Sequence, residues 1–292
     1  MSDELKSAYG GASPGDREVA ALESARKVED RFAHRLMLNT PTKGNAKVER
    51  LIELVNGDDE LYALWIAENV TAVERLGMTD HGPVHVKIVM NIAVKLLRML
   101  VDAGVEPGVV KSYGLTRYDA EVVVVLAALL HDVGMSIHRT DHEAYSLFVA
   151  QEKIKSLLGE LYEARTATLL RAEVLHAIIA HRSKGRPLTL EAGVVRVADA
   201  LDMAKGRSRI SIAGGSTSIH SVSAAAVEAV RIEPGDEKPV RLRIKMSNPA
   251  GVFQLDQLFR DKLAGSGLQT HIELEAELEG DTEKRLMDGF RL

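Results

Sequence analysis

Glu121-Val-Val-Val-Val-Leu-Ala-Ala-Leu-Leu130-His131-Asp132-Val133-Gly134 is the stretch that decides how this chain is read. Its first ten positions carry one charge, so the segment is buried on most faces. An imidazole and a carboxylate then stand side by side at its inner end. An ionised carboxylate out of water needs a partner. A metal ion is one such partner. The alternative is a core histidine followed by an aspartate that caps the next turn. Four consecutive valines allow a buried strand as well as a helix, and periodicity does not separate the two. Helix is the expectation, because no other strand-like run occurs before residue 208.

Toward the N-terminus, His85, Val89, Ile92, Ala93 and Leu96 recur at helical spacing in a segment running from Pro83 to about Ala103. Pro83 suits a first turn, where its missing N–H is not needed. His85 therefore stands on the buried face of that helix, near its start. Helices are also expected over 46–56 and 60–76, separated by Asn56-Gly57-Asp58-Asp59 and ended by Gly77. Residues 1–43 read as a polar tail, a charged helix from about Asp16 to Leu38 and a linker beginning at Asn39, together a candidate oligomerisation element. Residues 104–115 read as a loop.

Toward the C-terminus, Thr140 and Glu143 predict a capping box at the head of a helix that runs to about Leu158, with His142 in its first turn. Helices over about 162–181 and 189–204 follow, joined by the turn Ser183-Lys-Gly-Arg-Pro187. Asp199 lies among the apolar Val194, Val195, Val197, Ala198 and Leu201. The expected fold is mostly α, a helical bundle over 44–207. Past Gly214-Gly215 the pattern changes to alternation over 226–232, 240–246 and 270–279, with a helix over 249–264. That predicts a smaller α+β domain over 208–292 with an antiparallel sheet.

Composition narrows the class. The chain has 292 residues and is 46% hydrophobic but only 4% aromatic, so the core is built of Leu, Val, Ile and Ala. No apolar run is long enough to span a bilayer. The start, Met-Ser-Asp-Glu-Leu-Lys-Ser, has no secretory apolar segment, and a cytoplasmic protein is expected. The absence of cysteine removes disulfides, thiolate metal sites and cysteine nucleophiles together. A net charge of −5 and few aromatics argue against nucleic acid as a partner.

Six polar residues are stranded on apolar faces: His85, His131, Asp132, His142, His181 and Asp199. They come from separate helices or helix ends. Helix bundles build metal sites in this way, from inward-projecting side chains on facing helices. Imidazole nitrogen and carboxylate oxygen suit divalent Mn, Fe, Zn, Ni or Co, with Mg also admissible, rather than a thiolate-bound zinc. Two His and two Asp hold one ion and leave positions open for water. A further pair of His offers a second site, and Asp132 has an oxygen for each.

His85…His131-Asp132…Asp199 resembles the signature of the HD-domain metal-dependent phosphohydrolases. His85-x-x-x-Val89-x-x-x-Ala93 is similar to that family's first helix, Leu129-Leu-His-Asp-Val-Gly134 to its defining segment, and Val197-Ala-Asp-Ala-Leu-Asp202 to its last. The resemblance covers about residues 80–207. It implies a helical fold and hydrolysis of a phosphate ester or anhydride by metal-activated water, with Asp132 central to catalysis and one or two ions bound. Ala177–Arg186 resembles the His-Thr-Thr-Gly-Arg segment of members that cut dinucleoside polyphosphates, but departs by an inserted residue and by Arg182. The Gly-Tyr-Pro element of the cyclic-dinucleotide phosphodiesterases is absent.

Lys184, Arg186, Lys205 and Arg207 are expected on loops beside the site, where they would hold phosphate oxygens; the alternative for each is a solvated loop charge. His81, four residues before His85, is a candidate to contact substrate or donate to the leaving group, or else a helix cap. His176 lies five before His181 and faces away by about 140°, so it is expected to be structural. His138 is a reserve ligand. Two functions follow. One is a phosphohydrolase acting on a nucleotide or similar small phosphorylated metabolite, with no membrane partner and a homodimeric assembly. The other is a non-enzymatic nucleotide-binding regulator that signals through the α+β tail and the N-terminal helices. The complete four-residue core favours the enzyme.

Overall fold

The computed structural model describes residues 29–182, 184–203, 226–252, 255–256, 261–278 and 290–291. The chain divides into Met1–Met37 and Leu38–Leu292. In the first unit the described residues contain a helical turn at 29–32, where Ala33 N donates to Glu29 O. Most of the charged helix expected over 16–38 lies outside the described residues.

The second unit opens on the expected linker, and the linker is tied down. The Arg98 guanidinium donates to the carbonyls of Pro41 and Thr42. α1 (Ala46–Asn56) starts at Asn45, whose side chain accepts from Val48 N. α2 (Asp59–Asn69) is capped by Asp58 and runs into a π-helical turn, Val70–Arg75, before Gly77 ends it at φ 63°. α3 spans Pro83–Asp102. α4 (Gly108–Tyr113) is a short helix where a loop was expected. Its first N–H groups, at Gly108 and Val109, donate to the Glu191 carboxylate at 2.9 and 3.0 Å. A helix started by a side chain some eighty residues away leaves no local signal.

α5 (Arg117–Leu130) is the helix that the others surround. Every residue from Asp119 to Leu130 is buried, and α1, α3, α7 (Ala164–Ala180) and α8 (Leu190–Leu201) pack against it. Between them come a 3-10 turn, Val133–Ser136, and α6 (His142–Gly159). The strand–helix ambiguity resolves on magnitudes. Valine costs at most about 0.7 kcal/mol of helix propensity. Full burial of its side chain contributes about 1.5 kcal/mol or more. Burial therefore decides, and a Thr116–Asp119 capping box fixes the start.

The capping box expected at Thr140 does not form. Asp141 occupies the N-cap of α6 at φ 60°, and the Glu143 carboxylate lies 3.3 Å from His142 Nδ1 instead. At α8 the cap is Thr189, which accepts from Ala192 N.

The C-terminal sheet has the order β1 (Val227–Pro234), β2 (Val240–Met246), β3 (Ile272–Leu278), β4 (Phe290–Arg291). The antiparallel expectation holds for β1–β2 and β3–β4, but β2 and β3 are parallel. The described residues between them include the 3-10 turn Pro249–Gly251 and α9 (Asp261–Ala264), and a crossover connection, not a hairpin, makes a parallel pair. Val240, Leu242, Ile244 and Met246 face inward at the strand period. α9 packs on α8, which brings this region to the helical core.

Candidate metal centre

The end of α5 is built to hold His131 and Asp132 in place. Trp65 Nε1 donates to Leu129 O at 2.8 Å, satisfying one of the carbonyls a helix end leaves free. His131 is the C-cap residue, and the chain then turns through the 3-10 segment. A Cβ on Gly134 would stand 2.1 Å from His142 O and 2.4 Å from Ser146 N, so only glycine lets the first turn of α6 approach. Ser146 Oγ locks the approach by donating to His131 O (2.7 Å) and accepting from Gly134 N (2.8 Å). His142 is carried in with it. His85 enters from the first turn of α3, His181 is the C-cap of α7 and Asp199 comes from α8.

Three imidazoles have their Nδ1 positions committed. His85 Nδ1–H donates to Asp202 Oδ2 (2.6 Å), His131 Nδ1–H to Ala128 O (2.9 Å) and His181 Nδ1–H to Ile178 O (2.6 Å). Each acceptor is an oxygen with no hydrogen to give, so the Nε2 atoms carry lone pairs. Those lone pairs converge. His85 Nε2 and His131 Nε2 are 3.2 Å apart. Asp132 Oδ2 is 3.5 and 3.3 Å from them, and Asp199 Oδ1 is 3.8 Å from both. The other oxygen of Asp132 faces a second pair, 3.0 Å from His142 Nε2 and 3.5 Å from His181 Nε2.

Two nitrogen lone pairs at 3.2 Å repel unless a proton or a cation lies between them. Ligands about 2.1 Å from a common ion stand about 3.0–3.4 Å apart. The observed separations run from 3.0 to 3.8 Å and overlap that range, and the donors are all imidazole or carboxylate. The cluster fits a divalent ion. The charges agree. Burial pushes the Asp132 carboxyl up, but His131, His142 and His181 together hold it well below the usual carboxylate range. Asp199 is likewise held low against burial, by Lys262 and His131. Burial opposes a charge on His131, yet Asp132 and Asp199 raise it well above an ordinary histidine, so a proton satisfies the facing pair when no cation does. Burial keeps His181 below its ordinary value, with His131 and Lys262 acting in the same direction.

The remaining predicted residues separate. His81 is buried, with its Nδ1–H donating to Thr79 O (2.7 Å) and its ring centre 5.5 Å from that of His85. Lys184 and Arg186 are exposed on a loop whose backbone is fixed by Arg196, which donates to the carbonyls of Ala180, Arg182 and Gly185. Lys205 and Arg207 lie outside the described residues. His138 is exposed and accepts from Thr140 N, apart from the cluster. His176 Nε2 accepts from Leu188 N at 3.0 Å, tying α7 to the following loop.

Sequence reasoning missed three participants. Asp202 orients His85, and its place one turn beyond Asp199 was the available signal. Lys262 reaches Asp199 from α9, and nothing in the sequence marks it. Glu68, on α2, is fully buried with neither carboxylate oxygen hydrogen-bonded among the described residues. Burial, then the nearby Asp132 charge, raises it well above the usual carboxylate range. A lone glutamate beside Trp65 in an otherwise apolar stretch was its only mark.

A family model of the HD domain matches residues 84–204. The chain is 43% identical over 211 residues to an uncharacterized protein of Methanocaldococcus jannaschii, MJ1020, a match that takes in 72% of this chain and 82% of that one. It is 28% identical over 204 residues to ribonuclease Y of Desulforamulus reducens and 26% identical over 204 residues to ribonuclease Y of Thermoanaerobacter pseudethanolicus. These two matches take in 68% of this chain but only 35% of each relative.

Proposed function

The chain belongs to the HD-domain family, and we propose that it is a metal-dependent phosphohydrolase of a nucleotide or a similar small phosphorylated metabolite. Proteins of this superfamily are generally metal-dependent phosphohydrolases. The observation that carries the reading is the convergence of the His85 and His131 Nε2 lone pairs on the two buried carboxylates of Asp132 and Asp199. That arrangement repels itself until a proton or a cation enters, and a divalent cation would satisfy all four groups at once.

One ion would be held by His85, His131, Asp132 and Asp199, and a second by His142, His181 and the other oxygen of Asp132. When bound, such ions withdraw charge from phosphoryl oxygens and lower the pKa of water from 15.7 toward about 7. The protein's own part is positioning. Asp132 has one oxygen in each donor set, so it fixes the separation of the two sites. Asp202, Ala128 O and Ile178 O fix ring orientation and tautomer, which is how outer partners tune a metal ligand. His81 has its ring oriented by the Nδ1–H bond to Thr79 O, and its Nε2 would exchange a proton with a leaving-group oxygen. Lys184 and Arg186, with Lys205 and Arg207, would neutralise phosphate oxygens.

The two ribonuclease Y relatives favour a second reading, in which the phosphoester is an RNA phosphodiester. The net charge of −5 opposes it. Nothing favours the non-enzymatic regulator. The test is a panel of nucleotides, generic phosphoesters and a short RNA oligomer, each offered to protein of measured metal content. Metal-dependent release of phosphate or nucleotide supports the proposal. Protein that holds less than about a tenth of an equivalent of every divalent metal after reloading sinks it.

A further inference from the structure

Among the described residues of the C-terminal region, Lys262 is the side chain that reaches the candidate metal centre. Lys262 Nζ donates to Asp199 Oδ2 at 2.9 Å and to His181 O at 2.6 Å. The other oxygen of Asp199 is the one that faces His85 and His131. The ammonium is mostly buried, and so is the carboxylate it holds.

Its placement is over-determined by α8, the helix that carries Asp199. Arg196, one turn before Asp199, donates from Nε to Lys262 O at 3.0 Å. Gly193, a further turn back, faces Ser266: a Cβ there would stand 2.4 Å from Ser266 O. The same face of α8 thus admits the segment at Gly193, grips its backbone at Arg196 and receives its ammonium at Asp199. Ser266 Oγ donates to Leu263 O and accepts from Leu268 N, which closes the segment on itself.

We propose that Lys262 is a positioning residue of the metal centre: by holding Asp199 Oδ2 and His181 O it turns Asp199 Oδ1 toward His85 and His131, and so makes the C-terminal segment a working part of the site. This rests on the metal reading above. Two effects of the ammonium oppose each other. Its charge repels a divalent ion, while its hydrogen bonds remove the rotational freedom of a ligand. The carboxylate is already buried and its free oxygen already aimed, so orientation outweighs repulsion. Loss of outer partners of this kind typically weakens metal binding about 10–100-fold.

Co2+ alone is the probe, titrated into metal-free protein and followed by its visible absorption bands, which report ligand geometry. Lys262→Met is expected to weaken Co2+ binding about 10–100-fold and to change the band pattern, while the metal-free protein melts earlier, because Asp199 is left without its ammonium, yet keeps the parental helical circular dichroism. Gly193→Ala forces the segment away from α8 without altering any group at the centre, and is expected to weaken Co2+ in the same direction. In the Lys262→Met background Gly193→Ala should add almost nothing, because both act through one contact. Unchanged or tighter Co2+ binding by Lys262→Met overturns the proposal, as does full additivity of the two changes. A parent protein that binds no Co2+, Mn2+ or Zn2+ overturns the metal reading itself, and the role of Lys262 with it.

Discussion

The two ends of α5 are both buried and both charged, yet they are built to opposite ends. At the start every polar group has a partner. Glu121 accepts from Arg98 through both oxygens, at 2.7 and 2.8 Å, and from Asn45 at 3.0 Å. Asp119 accepts from Lys47, Tyr162 and both the N–H and hydroxyl of Thr116. Donors meet acceptors and nothing is left over. At the far end acceptors meet acceptors: His85 Nε2 against His131 Nε2, both against Asp132, with Glu68 alongside and without a hydrogen-bond partner among the described residues. A buried polar cluster that closes on itself is structure. One that is over-supplied with lone pairs calls for a ligand.

The sharpest break between the ends is Asp132→Ala. If the far end binds metal, this removes the shared carboxylate and turnover falls at least about a thousandfold, roughly 4 kcal/mol of barrier. The metal-free protein keeps its helical circular dichroism, and elemental analysis finds the ion depleted. A variant that melts earlier but turns over normally would return Asp132 to a mere turn residue.

Arg98→Met tests the other end. It leaves Glu121 as an uncompensated buried charge, which costs about 3 kcal/mol or more of stability. Urea unfolding should show that loss, while metal stoichiometry and turnover of the folded fraction stay at parental values. Loss of metal here would mean the two ends are not separable.

The difference between the ends also explains what could be read in advance. The buried helix, its flanking helices and the six convergent polar residues were visible, because stranded His and Asp on apolar faces contradict the local pattern. That such residues share one locus follows from burial alone: apolar faces meet in a core, and polar groups on those faces meet with them. Partners that satisfy a group were harder to see. Glu191 starting α4, Arg196 fixing the 182–185 loop and Lys262 on Asp199 lie far away in sequence and look like ordinary surface charges. The Thr140–Glu143 box failed for a related reason. Its signal is local, and the demand that His142 reach Asp132 is not. The parallel β2–β3 pair escaped because strand alternation carries no direction.

Glu68 sharpens the comparison by titration. In the metal-free protein its carboxyl is raised by burial and by Asp132. The folded state then holds a proton that the unfolded chain releases above about pH 4.3. Stability contributed by this group is therefore full in acid and falls as pH rises, by about 1.4 kcal/mol per pH unit, until the folded value is passed. Glu68→Gln does not titrate. Its stability relative to the parent should climb across that window in urea unfolding of metal-free protein. A flat difference from pH 5 to 7 would show that Glu68 ionises as an ordinary glutamate and has found a partner.

Asp119 predicts the opposite slope from the opposite end. Burial pushes its carboxyl up, but Lys47, Thr116 and Tyr162 together bring it below the usual value. Its contribution is full above the unfolded pKa of about 3.9 and is lost as pH falls through the lower folded one. Asp119→Asn keeps the shape and one acceptor but gives up the charge, so it should cost about 1 kcal/mol at pH 7. Lys47 is partly exposed, which weakens that pair and keeps the figure small. The difference from the parent should shrink toward zero in acid, while the Glu68→Gln difference grows toward neutrality. Two carboxyls near the two ends of one helix would then titrate in contrary senses, one because its partners are complete and the other because they are missing. If Asp119→Asn shows a pH-independent difference, the network at the start of α5 acts through shape rather than charge, and the contrast would rest on the metal centre alone.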